Sequence, residues 1–320
     1  MVNTSSRAIP AIDSRKYKQP EDYTMPINRR DFLKLTTVGG AVFSTGLTGV
    51  SAFANQATQD EFYFVQLSDT HWGFDNRKFN ADPRGTLPKA IEIVNELDPQ
   101  PDFVVFTGDL THTTDDPDMR RQRLAEFKDI TARLKPRTVH FMPGEHDASL
   151  DSGKAYTEFF GDMHYTFDHK GLHFIALDNV SDPRARLGEE QLAWLQQDLR
   201  GRGKHEPIVI LSHRPLFDLA PQWGWATVDG SKALDLLMPF ENVTVFYGHI
   251  HQEHHHKTGH IEHHSAKSLI FPLSAPGSAE KKQKIAWNPA ERYAGLGVRS
   301  VDVNMPGTHL VLHETGITES

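Results

Sequence analysis

From residue 62 onward, apolar residues come in short unbroken runs, separated by stretches where they recur three and four positions apart. The runs 62–67, 103–106, 138–142, 207–211 and 243–247 predict buried strands. The stretch 87–97, with Leu87, Ile91, Val94 and Leu97 on one face, predicts a helix. So do 119–134 and 189–199, the latter with Leu192, Leu195 and Leu199 aligned. Segments 165–167 and 173–177 read as a hairpin turning at Lys170-Gly171. From 268 on the chain reads as strands and turns, with late strands at 301–303 and 309–313. Strands alternating with helices indicate an α/β protein. Neither a repeat nor a linker interrupts residues 60–320, so residues 55–320 are expected to form one domain.

Residues 1–54 have a different pattern. Arg29-Arg30-Asp31-Phe32-Leu33-Lys34 precedes an uncharged stretch, 35–50, and then Ala52-Phe53-Ala54, a small-x-small site. Sixteen residues rich in Gly and Thr are too short for a membrane span and poor helix formers. This order resembles a twin-arginine (Tat) export signal. It implies passage through the Tat translocase to the periplasm or beyond, with cleavage near residue 54. Met25 opens a better-proportioned signal than Met1, which makes 1–24 an upstream extension.

Composition narrows the chemistry. The 320 residues are 38% hydrophobic and 24% charged, enough for a real core. Net charge is -8, and residues 1–54 carry seven basic and four acidic residues, so the remainder is more acidic still. That argues against stable nucleic-acid binding. There is no cysteine, which excludes disulfides, thiolate metal sites and a cysteine nucleophile. Histidine, by contrast, occurs 19 times.

The strand runs stop at residues able to bind metal. Asp69 and His71 follow the first, Asp109 the second, Glu145 and His146 the third, His213 the fourth, and His249 and His251 the fifth. In α/β sheets ligands gather at the carboxyl ends of strands. Gly73, Gly108, Gly144 and Gly248 flank most of these positions. Carboxylate and imidazole together suit Zn, Mn or Fe. Even without His146, seven candidate ligands exceed one tetrahedral ion and suit two ions roughly 3.5–4 Å apart that share a carboxylate.

The ordered set Asp69-x-His71, Gly108-Asp109, Gly144-Glu145-His146-Asp147, His213 and Gly248-His249-x-His251 resembles the calcineurin-like metallophosphoesterase superfamily over residues 60–275. Leu177-Asp178-Asn179, Gly188 and Gln191-Leu192-x-Trp194-Leu195 further resemble its purple acid phosphatase and class III cyclic-nucleotide phosphodiesterase branch. The resemblance implies two mixed β-sheets packed face to face with helices outside. It implies that Asp69, His71, Asp109 and His251 hold one divalent or trivalent metal ion. Asp109, Glu145, His213 and His249 would hold a second, with Asp109 as bridge. A metal-bridging hydroxide would attack a phosphomonoester or phosphodiester, and His146 would protonate the leaving oxygen. Two positions depart from the family pattern. Glu145 stands where Asn is usual, and Arg214 replaces the second His of His-His-Pro. Arg214 would clamp a phosphate oxygen or lie at the surface. A non-catalytic metal-binding protein on the same fold, or a nuclease, are the competing readings. Asp147 and Asp178 are expected to be structural, the His-rich stretch 254–264 a solvated loop, and Trp223 and Trp225 either a ring-stacking surface or packing in a lid.

Overall fold

Successive side chains of a strand face opposite sides, and this alternation builds the layers. In β1 (Phe62–Leu67), Phe62 and Phe64 point to one side and Tyr63, Val65 and Leu67 to the other. In β2 (Phe103–Thr107), Phe103 and Val105 join the first set and Val104 and Phe106 the second. A computed structural model describes residues 61–304 and 309–318. The twin-arginine segment and its cleavage site lie outside the described residues.

One sheet has five strands in the order β11-β10-β1-β2-β3, with β3 Val139–Met142, β10 Gly297–Asn304 and β11 His309–Gly316. Strands β1 to β3 are parallel, and β10 runs antiparallel to β1. The other has six strands in the order β4-β5-β6-β7-β9-β8. These are β4 Tyr165–His169, β5 Leu172–Ala176, β6 Ile208–Leu211, β7 Val243–Tyr247, β8 His254–Thr258 and β9 Ile261–Ser265. Its four central strands are parallel and its two edges antiparallel.

Phe64, Phe103 and Val105 of the first sheet share one apolar cluster with Phe174, Leu211 and Phe246 of the second. The sheets therefore pack face to face. Helices α1 (Thr86–Glu96) and α2 (Pro117–Thr131) cover the outer face of the first sheet through Leu87, Ile91, Val94, Phe127 and Ile130. Asp116 starts α2 by accepting hydrogen bonds from the amides of Asp118 and Met119 at 2.9 and 3.2 Å. Helices α5 (Gly188–Leu199) and α6 (Gly230–Leu237) cover the outer face of the second sheet. Two short helices, α3 (Glu145–Ala148) and α4 (Lys154–Phe160), follow β3. Neither α4 nor α6 has a run long enough to be read from periodicity.

The stretch 254–264 is not a solvated loop, as its polarity suggested. It forms the hairpin β8-β9, whose partners are His254↔Ser265, His255↔His264 and His256↔His263. His263 is fully buried, and His256 stacks on Phe217 with ring centroids 3.9 Å apart. Neutral imidazole here packs as a flat, mostly apolar ring.

Beneath the carboxyl ends of the strands, a buried polar clamp joins the sheets. Gln66 donates to Thr107 Oγ1 and to the Tyr247 carbonyl, both at 3.1 Å. Arg299, fully buried on β10, donates to Gln66 Oε1 at 3.2 Å, to the Ser265 carbonyl at 2.6 Å, and to Glu314. A cation so enclosed is tolerable only because acceptors surround it.

Candidate metal centre

Five of the expected ligands lie in the left-handed backbone region: Asp69 (φ 53°), His71 (42°), Asp109 (50°), His249 (66°) and His251 (55°). Outside glycine this conformation costs about 1–3 kcal/mol each and persists where the surroundings over-determine it. Here the backbone supplies that constraint. The Asp69 amide donates to the Gly108 carbonyl at 3.0 Å, the His71 amide to Asp109 O at 2.9 Å, and the Gly248 amide to His213 O at 3.0 Å. Each strand end is thereby tied to its neighbour, and the side chains turn toward one volume.

The glycines make that volume possible. A Cβ on Gly144 would sit 2.0 Å from Asp109 Oδ1, and one on Gly248 would sit 2.1 Å from Ser68 Oγ and 2.8 Å from Asp69 Oδ2. A Cβ on Gly108 (φ +92°) would lie 2.3 Å from His213 Nδ1. Only at Gly108, of these three, is a left-handed turn also required.

Among the described residues, two of the donor groups that result hold the expected ligands. In one, ligand atoms of Asp69, His71, Asp109 and His251 lie within 4.8 Å of one another; in the other, those of Glu145, His213 and His249 do. His71 Nε2 is 3.1 Å from His251 Nε2, and His251 Nε2 is 3.4 Å from Asp69 Oδ1. The Glu145 carboxylate points inward, with Oε2 2.9 Å from His213 Nε2 and Oε1 2.9 Å from His249 Nδ1. Backbone carbonyls fix two of the rings. His213 Nδ1 lies 2.7 Å from Thr107 O and His251 Nδ1 2.7 Å from Phe271 O. Each ring therefore carries its hydrogen on Nδ1 when neutral, which leaves the Nε2 lone pair facing inward.

The donors fit transition-metal ions. Glu145 Oε2 and His213 Nε2 are buried 2.9 Å apart without hydrogen-bond geometry, and His249 Nε2 is buried with no partner. Lone pairs so placed are costly unless something electropositive meets them. The charge pattern is that of a site short of positive charge: burial lowers His213, but Asp109 and Glu145 outweigh it and hold the ring well above its ordinary range. Burial, with help from Asp109 and Glu145, pushes Asp69 up to about 8. Burial holds His249 down to about 4 and His251 to about 3, so both rings are neutral at pH 7, as metal ligands must be. Burial and Glu145 also raise Asp109, but His146, His213 and His71 outweigh them and hold its carboxyl below the usual range.

His146 stands beside the groups, with Nε2 3.9 Å from Asp109 Oδ2. Its amide donates to Asp109 Oδ1 at 3.0 Å. Asp147 faces away and is structural: it accepts from the amides of Gly144, Leu110 and Thr111 at 2.8–2.9 Å. Asp178 likewise caps a turn through the Val180 and Ser181 amides. Arg214 is not a plain surface residue. Its Nη1 lies 3.9 Å from Glu145 Oε1, and Nη2 donates to the Gly224 carbonyl. Trp225 is wholly buried and Trp223 nearly so, so both rings pack rather than offer a stacking face.

Three residues beside the site escaped the sequence reading. His112 joins His71 and His146 in a third donor group. Thr113 meets His146 Nδ1 through its amide at 3.1 Å and its hydroxyl at 2.5 Å. Phe271 stacks on His71 and His251. His112 and Thr113 lie three and four positions after Asp109, a spacing that could have flagged them; Phe271 carries no local signal.

Residues 62–253 match the family model for calcineurin-like phosphoesterases. The chain belongs to this family. A protein of Rhodopseudomonas palustris named as a probable cyclic nucleotide phosphodiesterase is 25% identical over 250 residues, which is 68% of this chain and 84% of that protein. Among solved structures, a dimetal phosphatase from Danio rerio aligns with 81% of this phosphoesterase and 99% of its own chain, with TM-score 0.54 and 16% identity. A purple acid phosphatase from yellow lupin seeds aligns with 80% of this chain and 51% of its own, with TM-score 0.57 and 15% identity. The phosphoesterase thus has the α/β fold with two mixed sheets flanked by helices that those structures share.

Proposed function

We propose that this phosphoesterase is exported, takes two transition-metal ions, and hydrolyses small phosphomonoesters or phosphodiesters. One observation carries the reading. Asp109 Oδ2 lies 3.4 Å from His71 Nε2 of one donor group and 3.5 Å from His213 Nε2 of the other. A single carboxylate oxygen is thus within reach of both groups. Asp69, His71, Asp109 and His251 would hold one ion, and Asp109, Glu145, His213 and His249 the second. When bound, Mn, Fe or Zn supplies Lewis acidity toward a phosphoryl oxygen and toward water. His146 would turn its Nε2 hydrogen to the leaving oxygen. Arg214 would pair its guanidinium with a phosphoryl oxygen. Diester cleavage is supported by the name of the Rhodopseudomonas palustris relative and monoester cleavage by the phosphatase titles.

The test is metal content and turnover together. Wild type loaded with Mn²⁺, Fe or Zn²⁺ should bind two ions per chain and hydrolyse p-nitrophenyl phosphate or its bis ester. Asp109→Asn should lower occupancy of both ions. Two ions retained in Asp109→Asn would refute the shared carboxylate, and an inactive metal-replete wild type would refute the enzymatic reading. Export rests on Arg29 and Arg30. Changing both to Lys should leave precursor inside the cell, and normal secretion of that variant would remove the Tat assignment.

A further inference from the structure

A groove of about 780 Å³ begins at Arg214 and reaches Thr258. Its two ends lie at opposite ends of the second sheet. Strand β8 starts at His254, opposite Ser265 at the carboxyl end of β9, and finishes at Thr258, opposite Ile261 at the amino end of β9. The carboxyl ends of the parallel strands carry the candidate ligands. The lining therefore runs from Arg214, at the site end of the sheet, to Thr258 at its far end. The groove's volume is that of a small-molecule pocket.

The wall changes character along its length. At the upper end Arg214 supplies a cation beside Glu145, and its Nε is buried without a hydrogen bond. Leu216, Phe217, Val228 and Leu234 also line the groove, with the exposed carboxylate of Asp218 beside them. Arg184 lies on the lining too, but its guanidinium is forked onto Asp182 at 2.9 and 3.1 Å, which neutralises it.

The groove is preformed. Its wall, residues 214–231, is pinned from several sides. Asn179 Nδ2 donates to the Arg214 carbonyl at 2.9 Å and to Thr227 Oγ1 at 2.8 Å. The Thr227 amide donates to Pro215 O and the Val228 amide to Ala185 O, at 2.8 and 2.9 Å. Asp229 accepts from the Leu187 and Gly188 amides at 2.8 and 2.9 Å. A preformed wall spends little affinity on ordering itself around a ligand.

The geometry points to a specificity groove for an extended, largely apolar organic group esterified to the phosphate, with the phosphoryl end at Arg214. This rests on the phosphoesterase reading above. The probes are methyl and octyl p-nitrophenyl phosphate, diesters that release the same nitrophenolate and differ only in the group the groove would take. Metal-loaded wild type is expected to favour the octyl ester by at least tenfold in kcat/KM. Ser231 is exposed on the lining, and Ser231→Trp would obstruct the groove. It should lower the octyl-to-methyl ratio at least tenfold, and Val228→Trp, at an exposed position on the same wall, should lower it in the same direction. Equal turnover of both esters by wild type, or a ratio unchanged in both variants, overturns the groove and leaves the phosphoesterase reading standing. Turnover of neither diester by metal-replete wild type that still hydrolyses p-nitrophenyl phosphate overturns the groove alone, and turnover of none of the three overturns the phosphoesterase reading and the groove with it.

Discussion

The ring of His146 is oriented by a backbone amide. The Thr113 N–H, 3.1 Å away, can only donate, so Nδ1 of His146 accepts. In the neutral ring the hydrogen then sits on Nε2, the nitrogen that faces Asp109 at 3.9 Å and the space between the donor groups. A group so placed has a hydrogen to give rather than a lone pair to offer. His146→Ala should therefore keep two ions yet slow turnover by roughly 10²–10⁴-fold on esters with poor leaving groups. A nitrophenolate leaves with little help, so its loss should be smaller. Equal losses on alkyl and nitrophenyl esters would show that His146 only positions substrate. Nitrogen NMR of the wild-type ring should report the Nε2–H tautomer, and an Nδ1–H tautomer would contradict the donor role.

At the scale of elements, the β8-β9 hairpin stores an acid sensitivity. Burial, with His256 and His264 nearby, pushes His263 down to about 3. In the unfolded chain the same imidazole takes a proton near pH 6.5. Below about 6.5 the unfolded state binds the extra proton and the folded state does not, so stability falls as pH drops from 6.5 toward 3. His140 on β3, held down to about 4 by burial and then by His169, acts in the same direction. His263→Leu should flatten the loss by up to roughly 1.4 kcal/mol per pH unit. Thermal midpoints of the two proteins between pH 7.5 and 5 are the measurement, and parallel pH slopes would refute it. This hairpin also marks a limit of reading structure from sequence. Strands such as β1 and β2 were legible because phenylalanine and valine fill both faces, and the site was legible because its ligands end those strands. In β9 the alternation is present as Ile261, His263 and Ser265. It is written in histidine, which counts as polar along the chain but packs on Phe217 in the fold. Glu145 shows the same limit at the site, since its direction depends on His213 and His249, which arrive from other strands.

Across the whole molecule, the family segment and the folding unit differ. The match to the family ends at residue 253, yet β1 lies between β2 and β10, and β10 begins at Gly297. Five residues of β1, Phe62 to Gln66, pair with Arg299 to Val303, and Arg299 closes the clamp beneath the site. A chain cut after Ser265 would retain every candidate ligand and lose one of the two partners of β1. It is expected to be insoluble, or to unfold at least 10 °C below the full chain, by sedimentation and calorimetry. A soluble fragment with unchanged midpoint would show that β10 is dispensable.

That strand order has a consequence for biosynthesis. Strand β1 is made first and the strand on its outer flank almost last, with residues 68–296 between them. At about 5–20 residues per second, the wait is on the order of ten to fifty seconds. Throughout it the nascent chain carries an open, aromatic-rich edge of the kind that recruits other chains. Ribosome-bound intermediates should therefore depend on a holding chaperone until β10 emerges, and depleting that chaperone should lower the yield.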